Sequence, residues 1–239
     1  MNVLITGASR GIGRALAPAF GEAGHNVVVN FLRGREAAEA VAREVRAAGP
    51  EAETIQADVS DRVQARALVE KAARRWGRLD VLVNNAGVSM DRTILKMSEE
   101  EWRRVLDVNL SGAFWTLQAA ARVMSAQRDG TILNVASILA LRGGFGCANY
   151  AAAKAGLIAL TKSAARELGR FNVRVNAVLP GFHPTDMNRA LGADVVEKVK
   201  GEHVLGRFPD MDELARFVVH VAGLKSVSGQ VFAFEGRVL

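Results

Sequence analysis

The sequence contains one cysteine, Cys147, so no disulfide can close within the chain, and a lone thiol suits a reducing compartment. Its four histidines (His25, His183, His203 and His220) share no metal-ligand spacing, and no metal site is expected. Apolar runs stop at a charge or a glycine well short of the roughly 20 residues that a membrane helix needs. No basic stretch with an apolar segment and cleavage site opens the chain. Residues 2–6, NVLIT, read instead as a buried strand, and the cytoplasm is the expected location. Aromatics make up only 6% and the arginines are scattered, which removes the stacking platforms and basic stripes of a nucleic-acid binder. The formal charge of +6, with a pI near 10, then fits either an arginine-rich solvated surface or attraction for phosphorylated cofactors or an acidic partner protein. Tyrosine is as scarce as cysteine, and the single one is Tyr150.

What is present is a regular alternation. The chain has 239 residues, 49% of them hydrophobic, enough for one sizeable core. β-Branched apolar runs at 2–6, 26–30, 51–58, 79–87, 130–137, 173–181 and 228–236 read as seven strands. Between them lie alanine-rich helical patterns at 11–24, 34–49, 61–77, 99–108, 110–127, 149–169 and 211–224, with a less regular stretch at 182–210. Strands separated by helices of this length imply right-handed crossovers. The expected fold is therefore α/β, a single doubly wound Rossmann-like domain over 1–239, with a seven-stranded parallel sheet and helices on both faces. Such sheets bind ligands just beyond the carboxyl ends of the strands.

The first strand runs into TGASRGIG, residues 6–13. Glycines at the strand-to-helix turn let a pyrophosphate approach backbone amides at the positive end of a helix. Gly7, Ser9, Arg10, Gly11, Ile12 and Gly13 are thus candidate cofactor contacts. The spacing is TGxxxGxG rather than GxGxxG, and together with NNAG at 84–87 it resembles the short-chain dehydrogenase/reductase family. The resemblance implies that Asn85, Ala86 and Gly87 line the adenosine ribose and that Asp58 and Val59 hold the adenine edge. Read by itself, Asp58 also suits the start of a helix. NAD-binding members usually carry an acid at the end of the second strand for the ribose 2′-hydroxyl. Here that strand ends VVVNFLRGRE, with Asn30 and Phe31 at the expected spot, Arg33 and Arg35 just beyond, and Arg10 inside the turn. Guanidinium groups bind a 2′-phosphate that a carboxylate would repel, so NADP(H) is the expected cofactor.

On the helix expected from 149, Tyr150 and Lys154 lie one turn apart on one face. That spacing alone fits an inert surface pair equally well. Ser137 ends the fifth strand, thirteen positions before Tyr150, and Asn109 sits between two helical stretches. Asn109, Ser137, Tyr150 and Lys154 together match the catalytic tetrad of the family. The resemblance implies that Tyr150 is the acid/base, that Ser137 holds the carbonyl oxygen, that Lys154 also holds the nicotinamide ribose, and that Asn109 positions a water in a proton relay. A phenol with an ordinary pKa near 10 is a poor base at neutral pH. Bringing it into range needs roughly 3–4 kcal/mol, and an ammonium at about 4–5 Å supplies a similar amount at an effective dielectric of about 20. Lys154 is therefore expected to lower the phenol pKa. Cys147 has no apparent base beside it and reads as a small wall residue on the substrate side.

Within the family, TGASRGIG, ANYAAAKAGLIALTKSAAREL and VRVNAVLPGF are most similar to the 3-oxoacyl-[acyl-carrier-protein] reductases. That likeness implies reduction of a carrier-bound 3-oxoacyl thioester and docking of the acidic carrier protein at basic residues before strands five and six. Arg128 and Arg170 fit those positions, although both could be ordinary surface arginines. After the sixth strand the likeness places Pro180, Gly181 and Thr185 at the cofactor, although HPTDMN departs from the usual apolar stretch there. The 182–210 region is expected to form a substrate lid. The ending FEGRVL has one glycine where the family has two, which bears on the homotetramer that the family commonly forms. A ketone or acetoacetyl-CoA reductase, or a non-catalytic NADP-binding regulator, would use the same framework.

Overall fold

The computed structural model describes residues 1–185 and 192–238. Seven strands form one parallel sheet: β1 (Asn2–Ile5), β2 (Asn26–Phe31), β3 (Ala52–Gln56), β4 (Val81–Asn84), β5 (Gly130–Val135), β6 (Val173–Leu179) and β7 (Val231–Ala233). Their order is β3-β2-β1-β4-β5-β6-β7. The chain runs outward from β1 to β3, then returns to β4 on the other side of β1, where Val3 pairs with both Val27 and Val81. The direction of winding thus switches between β1 and β4, which opens a crevice at their carboxyl ends.

The middle strands are buried on both faces, and β1, β4, β5 and β6 carry apolar runs interrupted by a few asparagines, Thr131 and the buried Arg174. Val3 and Ile5 point to one face, where they pack with Leu16 and Phe20 of α1 (Gly11–Glu22), Val41 of α2 (Arg35–Ala47), and Leu214 and Val218 of α9 (Met211–Gly223). Leu4, Leu82 and Ile132 point to the other face. They meet Leu68 of α3 (Arg62–Arg75), Leu117 and Met124 of α5 (Ala113–Gln127), and Ala164 of α7 (Ala148–Leu168). Full burial of one such leucine or valine contributes about 1.5–3 kcal/mol, so two apolar faces on one sheet define a single core.

Caps differ among the helices in a way that bears on function. Asp61 accepts from Val63 N and Gln64 N at the start of α3, and Ser98 and Glu101 form a reciprocal capping box on α4 (Glu99–Leu106). α1 instead begins at Arg10 with no side-chain cap and no acid in its first turn. Its first N–H groups and its positive dipole end meet no acid from that first turn and no side-chain cap.

The sequence pattern misplaces several boundaries. The last strand is Val231–Ala233, shorter than 228–236, and β4 stops at Asn84. The two helical stretches over 99–127 join through a π-helical segment at 107–112. A short α6 (Leu139–Arg142) follows Ser137, and α8 (Ala193–Gly201) occupies part of the expected lid. Residues 186–191 of that lid lie outside the described residues. Among the described residues no helix is long and apolar enough to cross a membrane, and no group of three or more His, Cys, Asp or Glu could hold a metal ion.

Candidate active site

The turn after β1 is shaped by close approach. Gly7 has φ of +62°, and a Cβ there would fall 2.8 Å from Ala86 Cα. A Cβ on Gly13 would overlap Asn85 Nδ2 and stand 2.8 Å from the Gly7 carbonyl oxygen. Three polar side chains hold this arrangement. Thr6 Oγ1 accepts from the N–H groups of Asn85 and Ala86, both at 3.0 Å. Asn85 Nδ2 donates to the Thr6 and Gly7 carbonyls at 2.8 and 3.1 Å. Asn30 Oδ1 accepts from Gly7 N at 3.1 Å, while its Nδ2 donates to the Ile55 and Ala57 carbonyls at 3.1 and 3.2 Å. Asn30 is 1% exposed, and its amide is used up inside the protein. It shapes the turn rather than offering a group to a ligand, which corrects the expectation of direct contact. Asn85 is likewise turned toward the β1 backbone.

Around this frame, Ser9 and Ile12 are partly exposed, and Arg10 and Arg33 are exposed with no ion-pair or hydrogen-bond partner among the described residues. Arg35 is engaged: its guanidinium lies over the Phe31 ring and donates to Gln56 Oε1. Asp58 accepts from Ser60 N and Oγ and faces Arg104 at 3.9 Å, so its carboxylate organises the loop before α3. Val59 is buried against Gly112. Gly181 has φ of +81° and is hemmed in by the Phe234 carbonyl and Pro209. The Pro180 carbonyl lies 2.7 Å from His183 Nε2. Thr185 reaches the glycine turn, with its Cβ 3.9 Å from where a Cβ on Gly11 would stand. The glycine turn at the uncapped start of α1, with two exposed guanidinium groups that have no partner among the described residues, fits a dinucleotide.

The four residues of the expected tetrad lie beyond the ends of β4, β5 and α4, at the same edge of the sheet. Ser137 follows β5, where the N–H of Ala136 still bonds the Val178 carbonyl; its Oγ accepts from Leu139 N at 3.2 Å, and its hydroxyl acts on the Tyr150 phenol to oppose the rise in that group's pKa. Lys154 is 3% exposed; its Nζ donates to the Val135 carbonyl at 2.6 Å and sits 5.7 Å from the Tyr150 ring centre. Asn109, in the π-helical segment, is 1% exposed. Its Oδ1 accepts from Val88 N at 2.8 Å and its Nδ2 donates to the Val88 carbonyl at 2.9 Å. A Cβ on Gly87 would sit 3.4 Å from that Oδ1. Both ends of the Asn109 amide are thus committed to the chain after β4, which leaves only its main chain for a water.

The electrostatics depart from expectation. Burial pushes the Tyr150 phenol up to about 12, outweighing the Ser137 hydrogen bond, and the cysteine and Asp91 on its other side add to the rise. Burial lowers Lys154 to about 8. Lys154 is not among the causes of the phenol's shift, which burial dominates, so the expected lowering is not seen in this arrangement. Tyr150 therefore keeps its proton at neutral pH. Burial, followed by the nearby Asp91 carboxylate, raises Cys147 to about 11, which agrees with an inert wall residue.

Arg128 and Arg170 do come together, their guanidinium groups 5.9 and 4.7 Å from the Phe171 ring centre. They precede β5 and β6, whereas Ser137 follows β5, so the pair lies at the opposite edge of the sheet, one strand length or about 20 Å away. Sequence reasoning missed two further features. Asn149, beside Tyr150, is fully buried, and a chain of buried polar groups (Thr116, Asn84, Asn134 and Thr161) runs beneath the site. Polar residues inside apolar runs at Asn84 and Asn134 were the available signal.

Comparison with known proteins gives a consistent result. The family model described as short chain dehydrogenase matches residues 1–196. The 3-oxoacyl-[acyl-carrier-protein] reductase FabG of Staphylococcus aureus is 43% identical over 237 residues, covering 98% of this chain and 96% of the relative. The corresponding reductase of a Synechocystis species is 41% identical over 236 residues, covering 98% and 94%. Among solved structures, a short-chain type dehydrogenase/reductase from Mycobacterium marinum superposes with a TM-score of 0.92 at 34% identity, covering 98% of this chain and 93% of that one.

Proposed function

The chain belongs to the short-chain dehydrogenase/reductase family and is an oxidoreductase acting on CH–OH and C=O groups, and from that premise we propose that it reduces a 3-oxoacyl thioester carried by acyl carrier protein, using NADPH. The observation that carries this reading is the grouping of Ser137, Tyr150 and Lys154 beside the glycine turn, with Arg10 and Arg33 unpaired at its rim.

Bound nicotinamide supplies the hydride; the chain supplies position and a proton. Gly7, Gly11 and Gly13 leave room for the pyrophosphate at the α1 start, and the two arginines favour a 2′-phosphate over a bare hydroxyl. Ser137 orients the substrate oxygen and stabilises charge developing on it. Tyr150, which burial keeps protonated, gives its proton to that oxygen as the alkoxide forms. Lys154 holds the nicotinamide ribose and, through its charge, stabilises the phenolate left behind. Cytoplasmic action and a homotetramer accompany this proposal by likeness to the family.

A specific observation supports a second reading. The arginine pair lies at the edge of the sheet away from Tyr150 of the same chain, so a carrier held there is not delivered directly to that site. An acetoacetyl-CoA or small-ketone reductase needs no such docking. The test is NADPH consumption with acetoacetyl-carrier protein, acetoacetyl-CoA and a plain ketone in parallel. A kcat/KM at least about tenfold higher for the carrier-bound substrate, reduced by added salt, supports the first reading. Equal or better rates on the free molecules transfer the assignment to the second.

A further inference from the structure

Asn149 precedes Tyr150 and is 0% exposed. Every strong hydrogen-bonding group of its amide is used. Oδ1 accepts from Tyr150 N at 2.8 Å, and Nδ2 donates to the Met90 carbonyl at 3.0 Å and the Glu101 carbonyl at 3.2 Å. The amide cannot turn over without pressing an oxygen against two carbonyls. Tyr150 N lies in the first turn of α7, where no intrahelical carbonyl accepts it, and α7 has no side-chain N-cap. One buried side chain thus joins three segments: the chain after β4, α4 and the start of α7. A second tie runs parallel to it, as Arg92 N donates to the Gly146 carbonyl at 2.8 Å while the Arg92 guanidinium pairs with Glu101 at 2.9 Å.

We propose that Asn149 is a positioning residue for the acid/base: it clamps the first turn of α7 to the 88–101 segment and so sets the Tyr150 hydroxyl against Ser137 and Lys154. The proposal rests on the reading of Tyr150 as proton donor. Tyr150 itself reaches the site on a first turn with no side-chain N-cap, so its hydroxyl position depends on what holds that turn. An aspartate, although isosteric, would face two carbonyls with an oxygen and place a negative charge beside a phenol that burial and Asp91 already keep protonated.

The test compares Asn149→Ala, Asn149→Ser, Asn149→Asp and Tyr150→Phe in the full-length protein, measuring kcat, NADPH Kd and the pH dependence of alcohol oxidation. Asn149→Ala is expected to lower kcat about 10–100-fold, the cost of a misplacement near 1 Å, with NADPH Kd within about twofold of wild type. Asn149→Ser, which retains a short acceptor, falls between the two and carries the comparison if the alanine variant does not fold. Asn149→Asp moves the pH midpoint for oxidation upward. Introduced into Tyr150→Phe, Asn149→Ala changes the residual rate less than about twofold, because its effect passes through the phenol. Wild-type kcat in both the alanine and serine variants, or equal fractional losses in both backgrounds, would overturn the proposal. If Tyr150→Phe keeps a tenth of wild-type kcat, the reading of Tyr150 fails first; if it loses nearly all turnover while Asn149→Ala keeps wild-type kcat, only the positioning role fails.

Discussion

The glycine turn and the C-terminal tail are held in different ways. At the turn the bracing groups are neutral: Thr6, Asn30 and Asn85 bond backbone amides and carbonyls. At the tail the ties are ionic. Arg237 pairs with the buried Glu235 at 2.8 Å and approaches Glu202 at 4.0 Å, and Glu202 also meets Arg142 at 3.4 Å. His203 Nε2 stands 3.3 Å from Glu235 Oε1, and Val204 N donates to the Gly236 carbonyl. Neutral amides keep one shape across pH and salt, whereas an ion chain weakens when either changes. A cradle for a polyanion gains from carrying no acid of its own, while the tail is held by contacts that release as pH or salt changes.

The strongest way to break the neutral side is to fill it. Gly13→Ala should weaken NADPH binding by about a hundredfold or more, since the new methyl overlaps Asn85 Nδ2 and the turn must shift. Fluorescence titration would measure it, and an unchanged Kd would mean the turn does not hold the pyrophosphate.

A smaller effect separates frame from charge. Replacing Arg10 and Arg33 together with alanine should raise the NADPH KM at least about tenfold, the loss of one to two charge-assisted contacts, and leave the NADH KM nearly unchanged. Equal changes for both cofactors would contradict the preference for the 2′-phosphate. Retained protein stability is expected, because neither guanidinium has a partner among the described residues.

The smallest effect distinguishes the two regions by pH. Burial opposes the Glu235 charge, but hydrogen bonding and attraction from Arg237 prevail and hold its carboxyl below the ordinary 4.5. A depressed folded pKa contributes stability that is fully present above 4.5 and is lost as pH falls through the lower folded value. Amides over 199–206 should therefore lose hydrogen-exchange protection on acidification before those over 6–13. Simultaneous loss would remove the contrast, and Glu235→Gln should flatten the pH response of the tail alone.

Much was legible from residue order. Apolar runs alternating with alanine-rich patterns placed all seven strands within a few residues, because strand and helix periodicities are local. Residue type at fixed offsets marked the glycine turn and the Tyr150–Lys154 pair for the same reason. The α8 helix and the π-helical segment around Asn109 escaped, since neither has a periodic signature of its own.

The sequence by itself determined the architecture and the chemistry available, through the order of buried runs, the glycines after β1 and a solitary phenol one turn from a lysine. Only the tertiary structure decided which polar groups are free to act. Asn30 and Asn85 find their partners 23 and 79 positions away, and Asn149 finds its own 48 and 59 positions away, which removes three amides from any ligand. Arg10 and Arg33 have no partner among the described residues, and Arg128 and Arg170 converge on Phe171 at the far edge of the sheet. The proton affinity of Tyr150 was decided there too. Desolvation sums over every neighbour that folding brings near, and a spacing of four residues reports only one of them.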